Sequence, residues 1–401
     1  MFLEYPNKLS ENEILKNDIK IKFDKKITKD NILFFGDNFE ILKKLLYEEG
    51  YKGKIDLVYI DPPFATNTKF KIGKSRVSTI SSSRDDDIAY EDTLNGYEFL
   101  EFLRRRLILI RELLSDNGSI YLHIDYKIGH YVKLIMDEVF GVHNFRNDIT
   151  RIKCNPKNFK RSAYGNIKDM ILFYSKGKKP IFNDPKEPYS KKDIEKLFPK
   201  IDKNGRRYTT IPLHAPGETK DGETGKEWRG LKPPKGRHWR SKPEVLEELD
   251  NQGLIEWSKN GNPRRIIYAD EKKGKKKQDI WDYKDPQYPI YPTEKNLAML
   301  KDIILASTNK DSIVMDCFCG SGGTLKVASD LGRKWIGIDN SKKAIEVSKE
   351  RLQSNKDNLF LNHKEYDFII TNSITNHKRE QEYKLTDFNL IEKLKLQKFG
   401  T

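Results

Sequence analysis

Short apolar runs alternate with stretches of helical periodicity along most of the chain, and this alternation constrains the fold more than any other feature. Runs at residues 32–35, 55–60, 119–124, 170–174, 312–316 and 335–338 have the length of buried strands. Residues 39–47, 97–114, 127–140, 296–308, 324–331 and 341–352 have helical spacing or helix-start signals. Strands that alternate with helices are typical of an α/β fold with a doubly wound, mostly parallel sheet.

The alternation is interrupted in the middle of the chain, where Pro, Gly, Lys and Trp dominate and periodicity fades. We therefore predict an N-terminal extension at 1–30, two halves of a layered domain at 31–177 and 286–355, an inserted module at 178–285, and a polar tail at 356–401. Within the first half, residues 65–92 are polar and predict a loop over a site, and residues 116–118 predict a turn.

The net charge of the chain is +15, from 75 Lys and Arg against 60 Asp and Glu. Such an excess favours a polyanionic partner, most often nucleic acid, although a generally Lys-rich composition is the alternative. The basic residues cluster in two groups within the insert. One group is Lys272, Lys273, Lys275, Lys276 and Lys277. The other is Arg229, Lys232, Lys235, Arg237, Arg240 and Lys242, with Trp228 and Trp239 interleaved.

Several classes of protein are disfavoured. No run of eighteen apolar residues is present and the first thirty residues lack a signal-peptide core, so we expect a cytoplasmic protein that does not enter a membrane. The three cysteines, Cys154, Cys317 and Cys319, form neither a disulfide framework nor a zinc-ligand pattern. We predict no metal site.

Asp61-Pro62-Pro63-Phe64 ends the second apolar run, because two consecutive prolines cannot continue a sheet ladder. The Asp61 carboxylate and the Pro62 carbonyl are two acceptors, and the prolines hold the carbonyl rigidly. Such a pair can hold an amino group whose lone pair is delocalised into a purine ring, so that its nitrogen faces an electrophile. Phe64 offers a flat face on which an extruded base can stack. The alternative is a structural turn.

A glycine-rich turn follows the run that ends at Asp316, with the sequence Asp-Cys-Phe-Cys-Gly-Ser-Gly-Gly. Glycine lets the backbone approach a ligand closely ahead of a helix. The spacing matches neither the dinucleotide-binding pattern nor the P-loop. Asp339 ends the next strand, where its carboxylate can accept both hydroxyls of a ribose. A plain strand–helix turn is the alternative.

Thr293 and Lys295 lie shortly before the glycine turn. Their hydroxyl and ammonium groups can hold an amino-acid carboxylate, and the alternative is a helix start with Thr293 as its cap. In parallel sheets, ligands bind beyond the carboxyl ends of the strands. Asp37, Asp61 and Asp316 all follow predicted strands, so they can face one crevice.

Together these motifs resemble those of the DNA amino-methyltransferases, particularly the adenine branch. The family's catalytic motif is Asp, Asn or Ser followed by Pro-Pro and Tyr or Phe, and its cofactor motif is Asp-x-Phe-x-Gly followed by Ser or Thr and Gly. The order of the two motifs resembles the circularly permuted β class, in which target-recognition residues lie between them. Residues 36–38, 222–230, 233–239 and 278–281 resemble modification subunits of type III restriction systems and their stand-alone relatives.

The resemblance covers residues 30–350 and implies a Rossmann-like methyltransferase fold that uses S-adenosylmethionine, with an inserted target-recognition domain. It places Asp61, Pro62, Pro63 and Phe64 at the target base. It places Asp316, Phe318, Gly320 and Gly322 in the cofactor loop, Asp339 at the ribose, Thr293 and Lys295 near the methionine moiety, and Asp37 near the cofactor adenine. Phe64 replaces the commoner Tyr, and Glu294 stands where Gln is more usual.

The implied reaction is methyl transfer to the N6 amine of a flipped adenine in double-stranded DNA, within a restriction-modification system. We expect Trp228, Arg229, Lys235, Arg237, Trp239 and Arg240 to contact the DNA. Type III subunits are usually longer than this chain, so the resemblance leaves a restriction endonuclease partner open. It also leaves a homodimer open, since many β-class relatives pair as dimers. Three alternatives also stay open: methylation of the cytosine N4 amine, methylation of RNA, and a non-catalytic DNA-binding protein with a degenerate pocket.

Overall fold

The predicted alternation of strands and helices is present in the computed structural model of the chain. The structure describes residues 3–63, 69–73, 76–78, 87–91, 96–156, 160, 162–219, 221–259, 261–291, 294–353 and 365–372. Two predicted site residues, Phe64 and Thr293, lie outside these ranges.

The helices are α1 (Glu11–Ile14), α2 (Asn38–Tyr47), α3 (Gly96–Leu113), α4 (Tyr126–Phe140), α5 (Lys191–Leu197), α6 (Pro243–Asn251), α7 (Leu297–Ser307), α8 (Gly323–Asp330) and α9 (Lys342–Gln353). The first ten strands are β1 (Asn31–Phe35), β2 (Ile55–Ile60), β3 (Lys69–Gly73), β4 (Arg76–Ser78), β5 (Asp87–Glu91), β6 (Leu114–Ile124), β7 (Phe145–Ile152), β8 (Lys168–Ser175), β9 (Lys186–Glu187) and β10 (Lys200–Ile201). The other strands are β11 (Arg207–Pro212), β12 (His214–Pro216), β13 (Arg237–Trp239), β14 (Ile255–Trp257), β15 (Pro263–Tyr268), β16 (Lys275–Lys276), β17 (Ile280–Asp282), β18 (Ile313–Asp316), β19 (Lys334–Asp339) and β20 (Tyr366–Ile370).

Nine strands form one large sheet in the order β17-β7-β8-β6-β2-β18-β19-β1-β20. All of its pairings are parallel except those of β8, which runs antiparallel to both β6 and β7. The prediction of a mostly parallel α/β sheet is confirmed. Because the other strands share one direction, their carboxyl ends meet at the same edge of the sheet.

Side chains alternate between the two faces of this sheet. In β1, Ile32 and Phe34 pack in one apolar cluster with residues of α2, α3 and α4. Leu33, between them, packs in a second cluster with residues of α7, α8 and α9. Helices therefore cover both faces, which is the doubly wound arrangement.

Polar side chains fix the helix starts near the carboxyl edge of the sheet. Asp37 caps α2, Asp125 caps α4 and Asn296 caps α7 by accepting backbone N–H groups. Ser341 accepts the N–H of Ala344 at 3.3 Å at the start of α9. The alternative in which Thr293 caps the helix before β18 is wrong, because Asn296 occupies that position.

Other local predictions are also wrong. The predicted loop at 65–92 contains β3, β4 and β5, which pair as a three-stranded antiparallel sheet because neighbouring segments can form hairpins. Residues 116–118, predicted as a turn, lie inside β6. The pairing of β6 with β2 changes register at this point, between the partners of Ile55 and Leu57. The sequence predicts no strand at β7 or β20. Both contain polar residues that weaken the apolar pattern, and β20 is an edge strand.

The described chain divides into two compact units, one formed by Lys186–Lys277 and the other by the chain on either side of it. The Lys186–Lys277 unit contains a four-stranded antiparallel sheet, β10-β11-β15-β14, and the hairpin β12-β13. Its apolar interior is formed by Leu213, Trp228, Trp239, Leu246, Leu249 and Ile255. Within the ranges that the structure describes, no helix combines the length and the apolar character needed to cross a membrane.

Candidate active site

Four acidic residues follow four neighbouring strands of the large sheet. The strands β2, β18, β19 and β1 are adjacent in that order, and Asp61, Asp316, Asp339 and Asp37 end them or follow them closely. Parallel strands bring these positions to one edge of the sheet, although the residues are far apart in the sequence. The expected convergence of Asp37, Asp61 and Asp316 is present in the backbone.

The two carboxylate oxygens of Asp61 have different surroundings. Oδ2 lies 2.6 Å from the ammonium nitrogen of Lys295, and both side chains are largely buried, with exposures of 16% and 9%. Oδ1 is buried and accepts no hydrogen bond from any group that the structure describes. Pro62, next in the chain, is also buried. A buried acceptor without a donor is costly, so Oδ1 is ready to accept an N–H group from a ligand.

Lys295 lies between Tyr291 and the start of α7, as the sequence predicts, but its ion pair is with Asp61. Its neighbour Glu294, where Gln is more usual, pairs with Arg351 at 2.6 Å and accepts the N–H of Ile290 at 2.9 Å. Both side chains of the Glu294–Arg351 pair are nearly buried. The unusual Glu therefore holds the segment before α7 against α9.

The turn after β18 has a backbone conformation that glycine adopts more readily than any other residue. Gly320 and Gly322 have φ angles of 49° and 73°, in the left-handed region. A Cβ added to Gly322 would lie 2.8 Å from Oγ of Ser348, and that hydroxyl donates to the carbonyl of Gly320 at 2.8 Å. The turn is thus fixed from behind by α9.

Asp316 and Asp339 both lie beside this turn, where Asp316 is buried and Asp339 is partly exposed. Asp316 accepts the N–H of Phe318 at 3.0 Å, and Asp339 accepts those of Gly320 and Ser341, each at 2.8 Å. Burial raises the pKa of Asp316 to about 7, and the nearby charges of Asp61 and Asp339 contribute in the same direction. Burial also raises the pKa of Asp339.

The side chains of Asp37 and Phe318 contact other residues of the protein. Oδ1 of Asp37 accepts the N–H groups of Phe39 and Glu40 at the start of α2, and Oδ2 lies 3.2 Å from a guanidinium nitrogen of Arg106. The Phe318 ring lies 6.1 Å from that of Phe102. The predicted places of Asp37 and Phe318 beside a cofactor stay predictions.

A buried polar chain begins two residues before Asp61, and the sequence does not predict it. The Tyr59 hydroxyl lies 3.0 Å from Nδ1 of His123, and Nε2 of His123 lies 3.2 Å from Asp169. Lys153 donates to Asp169 at 2.6 Å. Burial lowers the pKa of His123, whereas the pKa of Asp169 is held well below its usual range by its hydrogen bonds and cationic neighbours, despite its burial. Each of these residues lies on a different strand or next to one. Only the order of the strands in the sheet shows that their side chains are hydrogen-bonded in series.

The predicted DNA-contacting residues differ in their surroundings within the Lys186–Lys277 unit. The indoles of Trp228 and Trp239 are buried in its interior, and Arg229 pairs with carboxylates of α6. Lys235, Arg237 and Arg240 are exposed. Their contact with DNA stays a prediction.

The acidic and sulfur-containing side chains do not assemble a metal centre in the described ranges. Among the residues with described positions, no group of three or more His, Cys, Asp or Glu is placed to hold a metal ion. The buried cysteines Cys317 and Cys319 in the glycine turn have raised pKa values because they are desolvated, so both thiols stay protonated at neutral pH.

Comparison with known proteins gives matches over most of the chain. A family model described as DNA methylase matches residues 55–350. The type II methyltransferase M.EcaI of Enterobacter cloacae is 43% identical over 353 residues, an alignment that covers 84% of this chain and 75% of that protein. The StyLTI Mod subunit, a type III restriction-modification enzyme of Salmonella typhimurium, is 28% identical over 339 residues, covering 76% of this chain and 50% of that subunit. The chain thus spans about half the length of this type III relative.

One solved structure, the complex of M1.HpyAVI with SAM, aligns with 19% identity and a TM-score of 0.42, covering 80% of this chain and 99% of that chain.

Proposed function

The chain belongs to the DNA methylase family, whose members depend on S-adenosylmethionine, and we propose that it methylates the exocyclic N6 amine of adenine in double-stranded DNA. The observation that carries this proposal is the state of Asp61. One of its carboxylate oxygens is held by Lys295, and the other is a buried acceptor with no donor among the groups that the structure describes.

The residues beside β18 and β19 suit the methyl donor. The left-handed Gly320 and Gly322 allow close backbone approach. The carboxylates of Asp316, which is buried, and of Asp339, which is partly exposed, offer acceptors for a ribose and an ammonium group. S-adenosylmethionine supplies a methyl group bound to a positively charged sulfur atom. We assign Asp316, Phe318, Gly320, Gly322 and Asp339 to its binding.

Asp61 and Pro62 would act on the target amine. Oδ1 of Asp61 accepts one N–H and the Pro62 carbonyl accepts the other, which turns the nitrogen lone pair out of conjugation and towards the methyl carbon. The N–C bond would form as the C–S bond of the methyl donor breaks, and Oδ1 of Asp61 would accept the proton that the nitrogen then loses. Lys295 keeps Oδ2 in place throughout.

The substrate base must leave the DNA stack before this can happen. An amine inside a duplex cannot reach buried acceptors, so extrusion of the base is required. Phe64, next to the acceptor pair in the sequence, is our candidate for stacking on the extruded ring. The Lys186–Lys277 unit is our candidate for target recognition.

The choice of adenine over cytosine depends on Asp61 itself. Both bases have conjugated amines that two acceptors could hold, but cytosine enzymes of the resembling group more often carry Ser at this position. We also propose that the chain works in a restriction-modification system, which the names of the type II and type III relatives support. A cognate endonuclease and a homodimer stay predictions.

A transfer assay with purified protein tests the proposal. The protein is incubated with duplex DNA and methyl-labelled S-adenosylmethionine, and the DNA is digested to nucleosides. Label should appear in N6-methyl-2′-deoxyadenosine for the wild type. Asp61→Ala should abolish it while calorimetry shows nearly unchanged binding of the donor. Label in N4-methyl-2′-deoxycytidine would overturn the adenine assignment, and transfer by the variant would overturn the role of Asp61.

A further inference from the structure

Three arginines from two chain segments, Arg237 and Arg240, which are exposed, and Arg264, which is half-buried, converge on one surface of the Lys186–Lys277 unit. Arg237 lies on β13, Arg240 follows the same strand, and Arg264 lies on β15. All three contact the short stretch of chain at 210–214, where β11 leads into β12. Their positive charges contribute to a lowered pKa of His214 on β12, after the effect of its partial burial.

Each guanidinium is held in place by a neutral group. Nε and Nη2 of Arg264 donate to the side chain and carbonyl of Thr210, at 2.9 and 2.7 Å. Nε of Arg240 donates to the carbonyl of Pro212 at 3.1 Å. Nη1 of Arg237 lies 3.1 Å from Nδ1 of His214. These contacts use one or two of the five N–H donors of each arginine, so they orient the groups without neutralising them.

The other arginines of this unit with ionic contacts differ, because carboxylates neutralise them. Arg206 pairs with Asp270 and Glu271, and Arg229 pairs with Glu247. Arg237, Arg240 and Arg264, by contrast, form no ion pair within the part of the chain that the structure describes. Glu256, the cross-strand neighbour of Arg264, is bound by Lys200 and Tyr208 instead.

We propose that Arg237, Arg240 and Arg264 form a binding surface for the phosphate backbone of DNA. Guanidinium groups match phosphate oxygens in geometry as well as charge, and anchored guanidiniums lose little freedom when they bind. The proposal rests on the proposed function, which makes DNA the substrate. It adds Arg264, which the sequence did not single out, to the predicted DNA-contacting residues. It assigns to Trp228, Trp239 and Arg229 a role in the structure of the unit instead.

Phosphate contacts fix position without reading bases, so removing them should weaken binding to all duplexes alike. The test measures the dissociation constant of a fluorescent duplex by anisotropy over a range of salt concentrations. Replacement of the three arginines by Gln should reduce the magnitude of the log–log salt slope by about 0.9 for each phosphate that the variant no longer neutralises, or about 2.7 together. Arg206→Gln removes one positive charge from the same unit, as each single variant of the three arginines does, and should leave the slope unchanged.

Arg264 also links β15 to β11, so its replacement by Gln can disturb the fold. Arg237→Gln and Arg240→Gln alter exposed side chains and should each reduce the slope alone. Arg264→Lys should keep the slope, because the charge remains. A triple variant with the wild-type slope and affinity would overturn the proposal, and so would a reduction of the slope in Arg206→Gln as large as that in Arg237→Gln or Arg240→Gln.

Wild-type methyl transfer, measured separately, distinguishes the two proposals. If the wild type methylates DNA while the triple variant binds it normally, the surface is wrong and the proposed function stands. If the wild type transfers no methyl group to DNA, the proposed function fails, and the anisotropy measurement alone then decides whether this surface binds DNA.

Discussion

The ammonium nitrogen of Lys295 lies 2.6 Å from Oδ2 of Asp61, and the contact joins the segment before α7 to the end of β2. The sequence suggested that Lys295 holds an amino-acid carboxylate of the cofactor. In the structure it holds the residue that we place at the target amine. The two roles predict different kinetics for a lysine variant.

Lys295→Met should reduce the single-turnover rate of methyl transfer by about 100-fold, because a misplaced reacting group costs about that much. Binding of S-adenosylmethionine should change little. Lys43→Met is a matched control, since Lys43 forms an ion pair with Asp18 away from the site and its own side chain is as deeply buried. That variant should lose stability but keep its rate. Weaker cofactor binding with an unchanged rate in Lys295→Met would instead favour the role suggested by the sequence.

Gly322→Ala should destabilise the protein and weaken cofactor binding. The left-handed conformation costs a non-glycine residue about 1–2 kcal/mol, and the new Cβ would also lie 2.8 Å from Oγ of Ser348. Gly332→Ala isolates the first effect, because Gly332 has a φ of 76° and open space around it. Urea unfolding and calorimetric cofactor titration of both variants check this. Equal losses of stability would show that the close approach at Gly322 is unimportant.

Asp316→Asn should flatten the pH dependence of stability between about pH 4 and 7. Burial raises the pKa of Asp316 from 3.8 to about 7, so the unfolded chain loses this proton at lower pH than the folded one. Wild-type stability should therefore fall as pH rises through this window, by at most about 4 kcal/mol from this group. Asp339, whose pKa is also raised, keeps part of the slope. Urea unfolding at pH 5 and pH 8 should show a smaller difference for the variant, and an unchanged difference would contradict the assignment.

Asp169→Asn should destabilise the layered domain by about 3–5 kcal/mol, because a buried cationic neighbourhood loses its counter-charge. Lys153 donates to Asp169, and Nη1 of Arg151 lies 3.7 Å from it. The pKa of Asp169 is lowered, so its contribution is present above about pH 4 and is lost as pH falls further. Asp148→Asn, on the exposed side of β7, should change stability by less than about 0.5 kcal/mol. Equal losses of unfolding free energy for the two variants, measured in urea at pH 7, would contradict a stabilising role of the contacts around Asp169.

Much of the fold follows from local sequence. The run of β2 is almost continuously apolar and ends at two prolines, so both the strand and the position of Asp61 are predictable. The strands β7 and β20 are harder to predict, because their polar residues interrupt the apolar pattern of a buried strand. Hydrogen bonds to neighbouring strands form them in the fold.

Side-chain partners are harder to predict than strands. The ion pair between Lys295 and Asp61, and the chain from Tyr59 to Asp169, depend on which strands are adjacent, and the sequence does not specify that order. The tryptophans of the insert also show the limits of local sequence. Their basic neighbours suggested that they contact DNA, but Trp228 and Trp239 are large apolar side chains that fill the core of a small unit.

The most direct test of the central claim is modification-sensitive sequencing of DNA from cells that express the wild type or Asp61→Ala. The account predicts N6-methyladenine at one recurring sequence motif in the wild-type cells and none at that motif in the variant cells. Methylated cytosine amines at the motif, or N6-methyladenine that persists in the Asp61→Ala cells, would contradict it.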